Sequence, residues 1–213
     1  LRAQPILNHF WYHAAMIASS STSGGKHIAF VTTNTHKFAE AQVILRPYGI
    51  ALDHVSMEYP ESHDESIEDI ALEGARYVRE KLRKPVLVED TGLFFTAYEG
   101  FPGALPKFVF NTLGYKGIFK LLEGEARDAY FKTVVAYADE DGSQPLHFEG
   151  TMSGTITEKV FDQNLVDAMP YDRIFIPDGA TKPISGMSME EKNKLSQRGK
   201  AFRQFGEYMK NQQ

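Results

Sequence analysis

The 213-residue chain contains no cysteine. Thiol nucleophiles, disulfide staples and Cys-ligated zinc are therefore excluded. It also has no apolar run approaching the roughly 20 residues that a membrane-spanning helix needs. Positive charge is short too: 23 Lys and Arg against 28 Asp and Glu leave a net charge of −5. The broad basic face of a general nucleic-acid binder does not fit that balance. A single nucleotide needs only a local cluster of cations, so a small phosphorylated substrate stays open. What remains is ordinary: 42% hydrophobic and 24% charged residues, enough for one sizeable soluble core.

Residues 1–26 hold Phe10, Trp11 and Tyr12 and close with the polar run Ser19 to Lys26. They read as a flexible leader or an appended extension joined by a Ser/Gly linker. His9 and His13 interrupt the apolar part, so it does not resemble a secretory signal. Residues 27–213 show no internal repeat and read as a single domain.

Residues 85–103 organise that domain. Val86, Leu87 and Val88 predict a strand buried on both faces, ending at Glu89 and Asp90. Ligands in open α/β sheets collect at the carboxyl ends of strands. Adjacent carboxylates repel unless a cation lies between them, and hard oxygen donors suit Mg²⁺, which makes Glu89 and Asp90 candidate metal ligands. A solvated turn is the plain alternative for that pair.

A second buried strand, His27 to Val31, runs into Thr32, Thr33, Asn34, Thr35, His36 and Lys37. A helix follows, with Phe38, Ala41, Leu45 and Tyr48 at helical spacing and Asn34 or Thr35 as its cap. Free N–H groups and the positive helix end there make an anion site, to which Lys37 adds a charge. After a strand at 50–55 comes an acidic cluster. Ser66 with Asp69 explains most of it as a helix start, but Glu61, just after Pro60, stands outside and is a candidate metal ligand.

Downstream, two short helices split at Gly114, and long strands over 128–139 and 144–156 join at Asp141-Gly142. A strand is predicted over 171–176. Ser188 with Glu191 opens a helix whose Leu195, Phe202, Phe205 and Met209 form a buried stripe. Lys192, Lys194, Arg198, Lys200 and Arg203 on it read as a solvated basic face.

Four segments match one pattern in order: Phe30 to Lys37; Val88 to Leu93 with Gly100 to Gly103; Tyr171-Asp172; and Glu190 to Asn193 with Ser196 to Gly199. Together they resemble the inosine triphosphate pyrophosphatase family over about residues 27–210, its archaeal members most of all. The resemblance implies an α/β fold with a long, bent, mixed sheet flanked by helices, and two lobes with a central substrate cleft. It implies Mg²⁺-dependent cleavage of ITP, dITP and XTP to the monophosphate and pyrophosphate, by a cytoplasmic homodimer with no nucleic-acid or membrane partner.

By that resemblance, Thr32 to Lys37 hold the phosphates, Asn34 and Lys37 most directly. Glu61 and Asp90 reach the metal, and Asp90 accepts the proton of the attacking water. Thr91 occupies a Ser/Thr position of the substrate site. Met169, Pro170, Tyr171, Asp172, Lys192, Gln197 and Arg198 face the base. The chain departs from the pattern there, with Met169-Pro170 where the family has Phe-Gly, Arg173 where it has Pro, and Gln197 where it has His. Ser185-Gly186 likewise replaces the usual Ala-Glu. Two rival activities are a pyrophosphatase preferring modified pyrimidine nucleotides and a non-catalytic nucleotide-binding relative. Retention of Lys37, Glu61 and Asp90 speaks against the second.

Overall fold

A computed structural model describes residues 27–60, 66–161 and 168–212. Strand β1 (His27–Val31) leads into α1 (Thr35–Leu45), then β2 (Ala51–Val55) and α2 (Ile67–Leu82). Strand β3 (Val86–Phe95) is followed by the short β4 (Pro102–Gly103) and by α3 (Pro106–Leu121). Two eleven-residue strands, β5 (Asp128–Ala138) and β6 (Leu146–Ile156), precede β7 (Phe175–Pro177), α4 (Met189–Leu195) and α5 (Gln197–Lys210). The sheet order is β2-β1-β3-β5-β6-β7, with β4 beside β3. It is mixed, as expected: β1 is parallel to β2 and β3, and the remaining pairs are antiparallel.

Three predicted boundaries move. The central strand does not end at Glu89-Asp90; it continues to Phe95, every residue paired with β5. Its other edge changes partner instead. It pairs with β1 through Leu87 and with β4 from Leu93, which leaves Val88 to Gly92 with no neighbouring strand on that side among the described residues. The predicted strand over 171–176 is mostly a 3-10 turn, Pro170–Arg173, and β7 begins only at Phe175. Pro170 fixes φ and lacks the N–H that a ladder needs. The predicted last helix is two, because Ser196 adopts φ −64° and ψ 148° and caps the second segment by accepting from the Gly199 N–H at 3.0 Å. Leu195 is consequently exposed, while Phe202, Phe205 and Met209 are buried as predicted.

The split forecast at Gly114 is present. Gly114 breaks α3 with φ 59° and ψ −174°. Ile67, Ile70, Ala71, Gly74 and Val78 form the buried face of α2. Residues 1–26 lie outside the described residues.

Successive strand residues face opposite ways, and this divides the core. Val86, Val88, Val134 and Ala136 pack under α2 on one face. On the other face, Leu87, Val135 and Tyr137 join Phe202 and Phe205 of α5 in one apolar core. Further along that same face, Leu93, Phe95 and Phe131 join Phe175 and Ile184 in another. Between them lies a polar band of Glu89, Thr91 and Thr133. The two lobes are these two cores, and the cleft lies over the band.

Candidate active site

The free edge of β3 opens on a cavity of about 860 Å³. That volume suits a nucleotide-sized ligand. Thr32, Thr33, Asn34, His36 and Lys37 line one side, and Glu89, Asp90 and Thr91 line the floor. Met169, Pro170, Tyr171 and Asp172 line it as well, together with Lys192, Gln197 and Arg198. The predicted residues thus come together, with two exceptions. Thr35 does not reach the lining, and Glu61 lies outside the described residues.

The loop after β1 is already tied to itself. The Asn34 side chain accepts from the N–H groups of His36 at 2.9 Å and Lys37 at 3.2 Å, and Thr32 Oγ1 accepts from the Asn34 N–H at 3.1 Å. Asn34 is therefore the helix cap, and its carbonyl oxygen is spent on that role. The anion site expected from free helix-start amides is smaller than predicted, because two of those amides are consumed. Thr33 and Thr35 keep backbone N–H groups without a partner among the described residues.

Glu89 and Asp90 do not compete for one cation, because strand alternation sends them to opposite faces. Glu89 is 4% exposed and enclosed by positive charge. Arg198 Nε reaches Oε2 at 3.0 Å, Arg198 Nη2 reaches Oε1 at 3.3 Å, and Lys37 Nζ lies 3.4 Å from Oε1. Thr91 Oγ1 also donates to Glu89 and pairs with Thr133 Oγ1 at 2.7 Å. Burial alone raises the pKa of Glu89, but Arg198, Lys37 and the hydrogen bonds outweigh it and hold the carboxyl at about 2. Both oxygens being so engaged, the repulsion that made Glu89 a candidate metal ligand is absent. Asp90 lies on the other face, at the free edge.

The row of charge continues past Arg198. Its Nη1 reaches Glu40 Oε2 at 2.6 Å, Glu40 Oε1 lies 2.7 Å from Lys192 Nζ, and Lys192 lies 2.8 Å from Asp172 Oδ2. Lys37, Glu89, Arg198, Glu40, Lys192 and Asp172 thus alternate in sign, three cations against three carboxylates. Burial raises the pKa of Glu40, but Arg198 and Lys192 bring it below the ordinary value. Burial lowers that of Lys192, and Asp172 and Glu40 more than reverse it. The basic run on the last helices is therefore not one solvated face: Arg198 is 3% exposed, while Lys194 and Lys200 are exposed.

Glycine makes this geometry reachable. A Cβ on Gly150 of β6 would stand 2.0 Å from the Gln197 carbonyl oxygen. Only a hydrogen there lets the first turn of α5 rest on the sheet and bring Arg198 to Glu89. Gln197 beside it is 6% exposed, and its Oε1 has no hydrogen-bond partner among the described residues.

Three lining or supporting residues escaped the sequence reading. Glu40 had a signal: it is a charged residue beside Ala41, Ile44 and Leu45 on the buried stripe of α1. Lys107, exposed and in no ion pair among the described residues, lines the cavity from α3. Phe110, one turn further, lines it too. A helix start after a tight turn gave no cue to either.

The chain can now be set beside known proteins. The dITP/XTP pyrophosphatase of Methanopyrus kandleri is 45% identical over 185 residues, 86% of this chain and 96% of its own. That of Thermococcus kodakarensis is 38% identical over 86% of this chain and 97% of its own. Among solved structures, a HAM1 protein from Coxiella burnetii superposes with a TM-score of 0.74 over 87% of this chain and 98% of its own. At 24% identity, that match speaks for the fold alone. The likeness read from four short motifs thus extends through the whole described body. Residues 28–208 match the Ham1 family, and the chain belongs to it.

Proposed function

We propose that the chain hydrolyses non-standard purine nucleoside triphosphates such as ITP, dITP and XTP, giving the monophosphate and pyrophosphate with Mg²⁺. The observation that carries this reading is the cavity itself. Its lining joins a carboxylate on a free strand edge to a Lys-bearing turn and to polar side chains that in this reading meet the base edge. The relatives' names agree with it.

In this reading Lys37, the Thr33 amide and the Asn34 Nδ2 hold phosphate oxygens. Lys107 reaches them from the opposite wall. Asp90 accepts the proton of the attacking water as the bond between the α and β phosphates breaks. Phosphoryl transfer asks chiefly for alignment and charge neutralisation. The buried row cannot supply the second, since its cations are matched by its own carboxylates. That shortage supports a metal ion, which neutralises phosphate charge and acidifies water when bound. Mg²⁺ commonly uses one or two carboxylates plus phosphate oxygens, and Asp90 with Glu61 fits that demand. No group of three or more metal-ligating side chains occurs among the described residues.

The test is product analysis with ITP. Inosine monophosphate and pyrophosphate, formed only when Mg²⁺ is present, are the expected products. Orthophosphate with inosine diphosphate would overturn the assignment. A homodimer working in the cytoplasm completes the proposal, and no helix of the described residues is long and apolar enough to cross a membrane.

The base end carries its own prediction. Arg198 has committed three of its five N–H groups to Glu89 and Glu40, and the other two remain for the base. Gln197 offers a donor and an acceptor, and turning its amide swaps them. A 6-oxo purine, with N1–H and O6, and adenine, with N1 and a 6-amino group, both find a match. The preference for ITP over ATP should be modest, about tenfold or less, as one hydrogen bond allows. Gln197→His should widen the ratio of the two kcat/KM values. An unchanged ratio would mean that Gln197 does not face the base.

A further inference from the structure

One apolar stretch of the cavity lining offers nothing to phosphate or to a polar base edge. It is formed by Phe110 of α3, with Phe131, Met152 and Tyr171. Phe110 meets Tyr115 edge to face, with ring centroids 4.9 Å apart at 70°, and Tyr171 likewise at 5.9 Å and 65°. Both tyrosines are anchored. The Tyr115 hydroxyl donates to the Pro170 carbonyl at 3.0 Å, and the Tyr171 hydroxyl donates to the Pro106 carbonyl at 3.1 Å. These bonds run in opposite directions between α3 and the Pro170–Arg173 turn, so each element holds the other. Phe110 sits inside that double tie, and its ring is fixed before any ligand arrives.

A rigid aromatic face binds a flat ring with little entropy left to lose. The polar groups suited to a base edge stand at the same end, since Asp172 follows Tyr171 and bonds Lys192. Met169, also on this wall, offers a flexible thioether rather than a face. We infer that Phe110 is the surface on which the purine stacks, and that it sets the preference for a two-ring base over a one-ring base. The inference rests on the nucleotide reading of the cavity and adds a residue on α3 that decides ring size.

The experiment is calorimetric binding of α,β-methylene inosine triphosphate and its uridine counterpart to the wild type, Phe110→Leu and Phe110→Tyr. Loss of base stacking on alanine-type truncation is of order tenfold or more in affinity. Phe110→Leu should weaken the inosine analogue about tenfold and the uridine analogue less than threefold. Phe110→Tyr should bind both as the wild type does. Phe110→Met, which keeps the volume, replaces the leucine variant if that one melts early. Equal weakening of both analogues, or none of either, overturns the inference. Hydrolysis is a separate matter: a wild type that shows the binding contrast but releases no pyrophosphate sinks the reaction and keeps the stacking face.

Discussion

Asp90→Asn lowers kcat by about a hundredfold or more, the scale of a positioned general base, and leaves the fold intact. Asn keeps the size and planarity of the side chain but cannot take a proton from water or balance a cation. The substitution should be structurally silent, because Asp90 and the Arg198–Glu89 pair lie on opposite faces of β3. Pyrophosphate release under saturating ITP gives the rate, and the thermal midpoint supplies the control. Turnover near the wild-type value would move the proton acceptor elsewhere in the cavity.

Arg198→Met should leave catalysis hard to measure for a different reason, by destabilising the protein about 3–5 kcal/mol at neutral pH. The change strands two buried carboxylates, Glu89 and Glu40, with only Lys37 and Lys192 beside them. Against a typical total stability of about 5–15 kcal/mol, that is a large fraction. The pH dependence follows from the sign of the Glu89 shift. Its folded pKa of about 2 is below the ordinary 4.5, so its pairing stabilises the wild type above 4.5. That contribution is lost as the pH falls from 4.5 through about 2. In the variant, burial acts without Arg198 and pushes the Glu89 pKa up. Its carboxyl then takes a proton in mild acid, and the gap to the wild type should narrow between neutral pH and pH 5. Urea midpoints for both proteins at the two pH values test this. A gap that is small at neutral pH, or that widens in acid, would mean the row of charges holds nothing together.

The sequence showed where the site would be and less well how it is built. Short apolar runs and the Ser66 and Ser188 caps were local signals, and the elements they marked are present. The end of β3 was misplaced because Glu89 and Asp90 look like a chain leaving the core. Only β5, some 40 residues away, supplies the partner that keeps the strand going. Ser196 reads like any polar residue in a helical stripe, and the break it makes becomes visible once α5 is seen lying on Gly150. Glu40 and Arg198 are 158 residues apart, and no periodicity links them. Motif resemblance brought Lys192, Gln197 and Arg198 to the cavity, but could not say that Arg198 is spent largely on carboxylates.

The polar band between the two apolar cores also governs how the molecule comes apart. Strands β3, β5 and β6 pass under both cores without a break. The cleft floor is thus continuous hydrogen-bonded sheet rather than a hinge loop. Neither lobe keeps its ladder if the other melts, so the amides from Val86 to Phe95 should exchange with solvent as one cooperative block. Such a floor should confine any closure on a ligand to a twist of the shared strands, a stiff motion of small amplitude. A nucleotide gripped across it would slow exchange in both lobes at once.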